Sequence, residues 1–589
     1  MTDTQPDAGP PADAGAPNQA EADAEAVEGR WGPGRTAEVL PPVWPKGTDH
    51  KYIGSLFVVA ALVFLVAGAV LALVMRAQLA TADGDVVGVR TYTQLFTMHG
   101  TMSVFLFLLP VWLGLGSAIV PLQVGASRIA FPRVHALSFW MFLIGGAMVA
   151  AAPAVSDVFG GWALSSPIPE NLGIRGNGPD FLILGLALVC MAAVVVAVNL
   201  IVTILQLRAP GMSLRRVPLF SWSMMVSSAV MILALPILIG AFVMLFADRH
   251  YGGSLFSGFT GSRGGNPLIW PRLFWFGAYP LLWALLVPAL GAVSQIVATF
   301  SRRRLFSHDR AAAVLGAIGV LSFAGWGSEV RTLNRARLMF ILGALVVLAP
   351  VALLVLNWLA TLRLAGKETT DRAQLRRGFG EPPMLWALGV LPVLGLGLAA
   401  SVVSALDAGR GAHANYWQAG QQHALFFGAA TIGAVAALSF WGPKLWGRRL
   451  SAPLAKLELL AIVGGTLLTV LGMLVLGAQD MALRLPTYTS DDGWGPANLA
   501  VSAGAAVVGL GLLLLVLDLL VSVVLGRGRQ AGPDPWGGQT LEWATTSPPP
   551  PHNFDALPEI RSATPLLDLR RAQDRPPEPA PDLVPEGAA

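Results

Sequence analysis

The sequence is poor in cysteine, histidine and charged residues, and each scarcity excludes a class of protein. A single cysteine, Cys190, among 589 residues rules out a disulfide framework and a thiolate metal cluster. Charged side chains make up 13% of the chain, and the net charge of +4 is spread over the loops. No nucleic-acid partner is expected, because such a surface needs a concentrated basic patch. The eight histidines are His50, His99, His135, His250, His308, His413, His423 and His552.

The chain is rich in hydrophobic residues, and many of them lie in long uninterrupted stretches. Hydrophobic residues make up 54% of it, which is more than a water-soluble domain can bury. About twelve apolar stretches of roughly 20 residues or more are each long enough to cross a bilayer. They lie near residues 52–75, 97–120, 134–155, 180–206, 219–246, 273–300, 311–329, 337–362, 383–405, 417–440, 454–477 and 498–525. The sequence therefore predicts an all-α polytopic membrane protein with twelve transmembrane helices.

The loop charges predict the orientation of these helices. An even number of spans puts both termini on one side, and the loops on that side carry most of the basic residues, Arg208 and Arg302 among them. The opposite loops are rich in aspartate, although Arg331, Arg335 and Arg337 break the pattern. The positive-inside rule then places both termini in the cytoplasm, with the helices in the cell membrane and in contact with lipid.

The two ends of the chain differ in composition from the apolar part. Residues 1–48 are rich in Ala, Pro, Asp, Glu and Gly, which predicts a disordered cytoplasmic tail. They do not resemble a signal peptide, since no basic segment precedes an apolar core. Residues 49–526 are predicted to form the twelve-helix membrane domain, and residues 527–589 a Pro-rich cytoplasmic tail.

Two histidines, His99 and His423, fall inside apolar stretches, at similar depth on different helices. An ionisable side chain within a bilayer is costly and indicates a function. A matched pair of histidines suits a haem iron with two axial imidazoles. The alternative is that each is a neutral histidine hydrogen-bonded to a nearby carbonyl or hydroxyl group.

Several motifs resemble subunit I of the haem-copper oxidases, the cytochrome c oxidase type. The likeness spans roughly residues 50–570. Its motifs are Q-L-F-T-M-H-G-T (residues 94–101), V-P-L-Q-V-G-A-S-R-I-A-F-P-R (120–133), P-L-F-S-W-S (218–223), W-G-P-K-L-W-G-R (441–448) and D-P-W-G-G-Q-T-L-E-W-A-T-T-S-P-P-P-P-H-N-F (534–554). This resemblance implies twelve helices around two haem pockets and one copper site.

Part of the functional machinery that the resemblance implies is present. The ligands of the family's low-spin haem correspond to His99 and His423. Of the arginine pair that meets the haem propionates, Arg484 is kept and Leu483 replaces the other. The outer metal site falls on His413 and Ala414, and so lacks its carboxylate.

The residues of the oxygen-reducing centre are replaced. Gln421 stands where the high-spin haem has its histidine. The positions of the copper histidine, the proton-relay glutamate and the crosslinked tyrosine hold Tyr279, Leu281 and Trp283. The paired copper histidines fall on Ser328 and Glu329, the aspartate that opens one proton path on Arg128, and the lysine of the other on Leu354.

The histidine count supports the same interpretation without the family. A respiratory copper site needs imidazole donors, and a five-coordinate haem needs one strong axial ligand. The six histidines other than His99 and His423 lie on loops, tails or helix starts, on opposite faces of the predicted bundle. Copper is therefore not expected. One low-spin haem, of a or b type, is expected instead.

These observations predict a respiratory membrane haem protein that transfers electrons through a bis-His haem. Its expected partners are other oxidase-like subunits and an electron donor such as a cytochrome c or a cupredoxin-type domain. Two alternatives remain: a structural or assembly paralogue within an oxidase complex, and an active terminal oxidase with unusual ligands. Tyr279, Trp283, Trp275 and Trp326 are interpreted as filling vacated volume. A substrate or quinone pocket, or haem ligation by Tyr279, is the weaker reading.

Overall fold

A computed structural model describes residues 47–164, 176–251, 255–256, 265–329, 337–368, 372–406 and 415–573. These residues belong to one compact unit, Pro42–Ala589. In the part of the chain described, the regular structure is helical, apart from two isolated β-bridges. The prediction of an all-α polytopic membrane protein is confirmed.

Fourteen helices are found in the described part of the chain. In chain order they are α1 (His50–Gln78), α2 (Val89–Gln123), α3 (Pro132–Val155), α4 (Gly178–Gln206), α5 (Leu219–His250), α6 (Ile269–Phe300), α7 (His308–Leu321), α8 (Arg337–Glu368), α9 (Arg372–Phe379), α10 (Pro382–Leu406), α11 (Tyr416–Trp446), α12 (Ala452–Ala478), α13 (Gly495–Leu519) and α14 (Pro565–Gln573). Among the residues described, 11 helices are long and apolar enough to cross a membrane.

The seventh predicted span, residues 311–329, forms a shorter helix than the sequence indicates. Helix α7 has only 14 residues and ends at Leu321. A turn and the 3₁₀ segment Trp326–Glu329 follow it. At this end the hydroxyl of Ser322 donates to the carbonyl of Gly319 at 2.7 Å, a local side-chain bond that competes with continued helix.

Three helices form the centre of the bundle, and the others surround them. In the most apolar window of each helix, 94% of the residues are buried in α2, 100% in α6 and 83% in α11. The corresponding share falls to 22% in α1 and 33% in α12. A helix that is apolar all round and buried on every side lies inside a membrane protein, whereas α1 and α12 present one side to lipid. The buried centre is therefore where polar side chains require a specific explanation.

Glycines allow the helices to pack backbone against backbone. A Cβ atom added to Gly54 of α1 would lie 2.6 Å from the carbonyl oxygen of Gly114 in α2, and the reverse contact is equally short. Gly145 of α3 and Gly185 of α4 form a second such pair, at 2.7 Å. Small residues at helix contacts are typical of membrane bundles, where close packing and not apolar burial holds helices together.

One end of the bundle, called the basic end below, carries an excess of arginine. Its loops and helix ends contain Arg208, Arg215, Arg303, Arg376 and Arg449. Residues 526–564, called the C-terminal segment below, fold back over this end without regular structure of any length. The remaining loops described lie at the opposite end, where Asp83, Asp157 and Asp491 are found.

The C-terminal segment is tied to the bundle by buried polar contacts. Lys444 of α11 donates hydrogen bonds to the carbonyl oxygens of Pro533 and Thr545, each at 2.7 Å. The indole of Trp536 donates to the carbonyl of Phe440 at 2.9 Å. Glu542 is fully buried and accepts from Gln123 of α2 at 2.9 Å. The composition of residues 527–589 predicted a Pro-rich tail. In the structure, the residues of this segment up to 564 pack as part of the folded unit.

The packing of Glu542 predicts that docking of the C-terminal segment depends on pH. Burial raises the pKa of Glu542, and hydrogen bonds from Gln123 and Trp441 offset only part of that rise. Docking therefore takes up a proton. It should be strongest below the ordinary glutamate pKa, about 4.3, and should weaken as the pH rises from there toward the raised pKa.

Hydrogen exchange of the full chain in detergent would measure this effect. We expect residues 533–553 to be less protected at about pH 8 than at about pH 5, after correction for the intrinsic exchange rate. In Glu542→Gln, which has no titrating proton, the protection should be the same at both pH values. Equal pH dependence in the variant and the natural chain would show that Glu542 does not control docking.

Candidate functional site

His99 lies in the buried helix α2 and is held by the first helix. Its Nδ1 is 2.9 Å from the carbonyl oxygen of Gly68 in α1, so Nδ1 carries the proton and donates. The Nε2 atom has no hydrogen-bond partner among the residues described, and packing does not seal it off. A neutral imidazole with Nδ1–H fixed on a carbonyl and Nε2 available is the arrangement of a metal-binding histidine.

His423 shows the same arrangement on helix α11. Its Nδ1 is 2.8 Å from the carbonyl oxygen of Ala419, one turn earlier in the same helix. Its Nε2 likewise has no partner among the residues described. The ring packs edge-on against Phe427, with the ring centroids 5.6 Å apart. Both predicted ligands therefore have the tautomer that leaves Nε2 as an acceptor.

The fold brings these two histidines together from positions more than three hundred residues apart in sequence. Phe96, one turn before His99, belongs to the same packed cluster as Ala419, one turn before His423. The turns that precede the two histidines therefore flank the same apolar cluster, which places His99 and His423 in one region of the bundle.

Both histidine-bearing helices contain a π-helical segment next to the histidine. In α2 the segment is Met102–Leu108, three residues after His99, and in α11 it is His423–Gly428. Pro110 explains the first, because a proline ring displaces the carbonyl four residues earlier. In the second, a Cβ atom on Gly428 would lie 2.7 Å from the carbonyl oxygen of His423, so only glycine fits this widened turn. Such segments are frequent at functional sites.

Arg484 lies beside the first half of helix α2, which carries His99, at the end of the bundle opposite the basic end. It follows α12 in a loop and has a φ of 69°, a left-handed conformation that few residues other than glycine adopt. Its guanidinium donates to the carbonyl of Gly160 at 3.1 Å and lies 5.7 Å from the centre of the Phe96 ring. The structure thus places a cation one helical turn from His99.

Gln421 is two residues before His423, but its side chain is engaged elsewhere. Its amide nitrogen donates to the hydroxyl of Ser401 at 3.0 Å, and its oxygen accepts from Ser404 at 3.1 Å. Both serines belong to α10, and Ser404 also accepts from Trp417 at 2.7 Å. Gln421 therefore joins two helices through a polar network, and both of its polar atoms are occupied.

The positions of Tyr279, Leu281 and Trp283 lie within the fully buried helix α6. Trp283 contacts Phe426 of α11 edge to face at 5.0 Å, and Tyr279 contacts the same ring at 6.5 Å. On its other side Tyr279 reaches the turn that follows α7, where a Cβ atom on Gly325 would lie 2.7 Å from the phenol. Large aromatic side chains therefore occupy this part of the centre of the bundle, next to the helix that carries His423.

The remaining predicted positions are scattered. Leu354 is buried within α8, with 1% of its surface exposed. Arg128 is exposed in the loop between α2 and α3, at the basic end. Ser328 and Glu329 lie in the 3₁₀ segment after α7, and their side chains are not described. The predicted outer metal position, residues 413–414, lies outside the residues described.

The structure also shows polar residues that the sequence reasoning missed. Gln123 donates to Gln295 at 3.0 Å as well as to Glu542, and its oxygen accepts from the hydroxyl of Ser221 at 2.7 Å. This network joins α2, α5, α6 and the C-terminal segment. The only available signal was the glutamate within L-E-W of the tail motif, because two glutamines on separate helices form no recognisable pattern.

The residues around His99 and His423 fit a haem with two axial imidazoles. The rings come from different buried helices, each Nε2 is available, and each Nδ1 proton is fixed on a carbonyl. His99 and His423 would hold the iron, and the Arg484 cation lies where an anionic edge group would be stabilised. Within the described residues, no three His, Cys, Asp or Glu side chains are grouped so that they could hold a metal ion.

The family of the chain follows from comparison with known sequences. The sequence model described as "Cytochrome C and Quinol oxidase polypeptide I" matches residues 52–507. The chain therefore belongs to the subunit I family of the haem-copper oxidases, whose members are multi-pass membrane proteins that work with other oxidase subunits. The resemblance seen in the motifs is confirmed.

Individual relatives cover almost the whole chain. A putative cytochrome c oxidase subunit 1-beta from Streptomyces coelicolor is 36% identical over 89% of this chain and 90% of its own length. Quinol oxidase subunit 1 of Bacillus subtilis is 31% identical over 90% of this chain and 80% of its own length. Cytochrome c oxidase subunit 1 of the same bacterium is 31% identical over 92% of this chain and 86% of its own. The similarity thus extends to relatives named for two different electron donors.

Proposed function

We propose that this chain is an electron-transferring haem subunit of a respiratory oxidase-like complex, without an oxygen-reducing centre of its own. It would hold a single low-spin haem between His99 and His423. The observation that carries the proposal is the contrast between two sites on α11. His423 has a fixed tautomer and an available Nε2, whereas both polar atoms of Gln421, two residues earlier, bond to α10.

The residues of the low-spin site have complementary roles in this proposal. The carbonyls of Gly68 and Ala419 orient the two imidazoles and keep Nε2 unprotonated. Arg484 would neutralise a propionate at the outer edge. A haem with two axial histidines supplies one-electron transfer and leaves no open coordination position. Oxygen binding at this iron is therefore not expected.

The absence of an oxygen-reducing centre is supported by what occupies its positions. Tyr279, Leu281 and Trp283 are each at most 5% exposed and pack tightly in the centre of the bundle. None of the three offers an imidazole, which copper in a respiratory site requires. Leu354 and Leu281 also carry no proton at the two depths where coupled proton transfer would need a titratable group.

The proposed setting follows from the family and from the loop charges. The chain would lie in a bacterial cell membrane with both termini in the cytoplasm, so that the basic end faces the cytoplasm. Electrons would arrive from a partner such as a cytochrome c or a cupredoxin-type domain. Arg484 lies at the end opposite the basic end, which is the side where such a donor would dock.

Spectroscopy and metal analysis of the purified chain test this proposal. We expect about one iron and no stoichiometric copper per chain, with a low-spin reduced-minus-oxidised spectrum that carbon monoxide leaves unchanged, because both axial positions are filled. A carbon monoxide shift or stoichiometric copper would instead identify an active oxidase with unusual ligands. A chain that binds no haem when expressed with a haem supply would identify a structural paralogue.

A further inference from the structure

A pocket at the basic end lies far from the histidine pair and is called the basic-end pocket below. It is formed by the first residues of α5 and α7, the last turns of α6 and the C-terminal segment. Its volume is about 210 Å³. That space equals roughly seven water molecules at about 30 Å³ each, which suits a small polar group and is too small for a drug-sized ligand.

The charged residues of the pocket favour an anion. Arg215 is exposed, and its guanidinium makes no hydrogen bond or ion pair with any residue described. Arg304 also lines the pocket and pairs with Asp568 behind it. Asp309 is the one carboxylate among the lining residues. A bound cation would therefore meet two guanidinium groups and a single acidic ligand.

His308 lines the pocket beside Arg215. Burial lowers its pKa, and the Asp309 carboxylate together with hydrogen bonds to the backbone of Val217 and Arg215 offsets part of that change. The hydrogen bond to Arg215 holds the backbone of this residue in place, so its side chain extends from a fixed point at the edge of the pocket. His308 consequently acts as a support for the arginine and not as a charge in the pocket.

Neutral donors complete the site. The hydroxyl of Thr299 lines the pocket on a side chain only 3% exposed, yet it has no hydrogen-bond partner among the residues described. The first residue of α7, His308, also lines the pocket, whereas the first-turn amides of α5 at Phe220 and Ser221 already donate to Gln295 and Gln123. A helix N-terminus carries partial positive charge and stabilises anions. The Thr299 hydroxyl is open to the pocket, so a ligand that accepts its hydrogen bond would be favoured.

We propose that the basic-end pocket binds a phosphate group. Arginine matches a tetrahedral oxyanion with two parallel donors, the Thr299 hydroxyl supplies a further donor, and the start of α7 adds partial positive charge. Two sources present this chemistry at the membrane surface, the headgroup of an anionic phospholipid and free phosphate in the cytoplasm. Basic pockets between membrane helices commonly receive lipid headgroups. The proposal does not depend on the haem site.

Binding to the full-length chain tests the proposal, with one arm for each source. In the first arm, delipidated protein in detergent is titrated with inorganic phosphate, and binding is followed by phosphorus NMR. In the second, retained phosphatidylglycerol per chain is measured by native mass spectrometry. The variants are Arg215→Gln, which removes the free cation, and Thr299→Val, which removes the hydroxyl at constant volume. Arg376→Gln is the matched control, because Arg376 is an exposed arginine of the same end outside the pocket.

We expect Arg215→Gln to weaken binding roughly tenfold, Thr299→Val to weaken it about fivefold, and Arg376→Gln to change it less than about twofold. An effect in the phosphate arm identifies a soluble ligand, and an effect in the lipid arm alone identifies a headgroup site. The proposal is overturned when neither arm separates the two pocket variants from the control. Thermal melting of each variant confirms that the fold is retained.

Discussion

Replacement of His423 or of His99 by alanine is expected to abolish the low-spin haem spectrum. Each change removes one of the two proposed axial donors, and within the described residues no three His, Cys, Asp or Glu side chains group into an alternative metal site. Loss of an outer-shell partner alone typically lowers metal affinity by roughly 10–100-fold, so loss of a ligand should cost at least that much. The measurement is haem per purified chain together with the reduced-minus-oxidised spectrum.

His552→Ala is the control for these two variants. His552 is exposed and pairs only with Asp555 in the C-terminal segment, at 2.7 Å. It should retain the haem content and spectrum of the natural chain. A low-spin spectrum that persists in His423→Ala would show that the ligand assignment is wrong. Equal loss in His552→Ala would point to a general failure of folding or haem supply.

A side chain at Gly477 is expected to disrupt the same site from the neighbouring helix. A Cβ atom at Gly477 of α12 would lie 2.1 Å from the backbone nitrogen and 2.4 Å from the Cα of Trp417. Backbone atoms cannot change rotamer to relieve a clash as a side chain can. The first turn of α11, which precedes His423, would therefore have to move. We expect Gly477→Val to destabilise the protein by more than about 3 kcal/mol and to lower its haem content. Thermal melting and haem analysis in detergent measure both effects.

Gly464→Val provides the matched control in the same helix. A Cβ atom at Gly464 meets no atom within 4 Å, so valine there adds a methyl-bearing side chain to open space. Its melting temperature and haem content should remain close to those of the natural chain. If the two valine variants behaved alike, the close approach of α12 to Trp417 would not position α11.

The positions of the helices and of the histidine pair could be predicted from the sequence, for a common physical reason. Apolar length fixes the spans, and a histidine inside such a span is rare enough to be noticed. The short helix α7 was not predicted, because the apolar run continues past Leu321 and does not show that the helix ends there. The engagement of Gln421 by Ser401 and Ser404 was also beyond prediction, since it depends on the rotation of α10 relative to α11.

The packing of the C-terminal segment was even harder to predict from the sequence. Its proline-rich composition predicts a tail, and composition says nothing about partners that lie a hundred residues earlier. Lys444 and Phe440 hold this segment through backbone groups, a type of contact that leaves no trace in the identity of the residues contacted. Glu542 could have been singled out only as a carboxyl within an otherwise apolar L-E-W sequence.

The π-helical segments change the direction in which side chains point in the later parts of α2 and α11. Each widened turn accommodates one extra residue, which rotates everything beyond it by about 100° relative to an uninterrupted α-helix. In α2, the face that carries His99 and the face that carries Trp112 are therefore out of phase by that angle. A single-residue deletion within Met102–Leu108 would restore a regular helix while turning one of these two faces away from its partners. The extra residue thus rotates the second part of the helix, so that α2 can present His99 and Trp112 to two different neighbours.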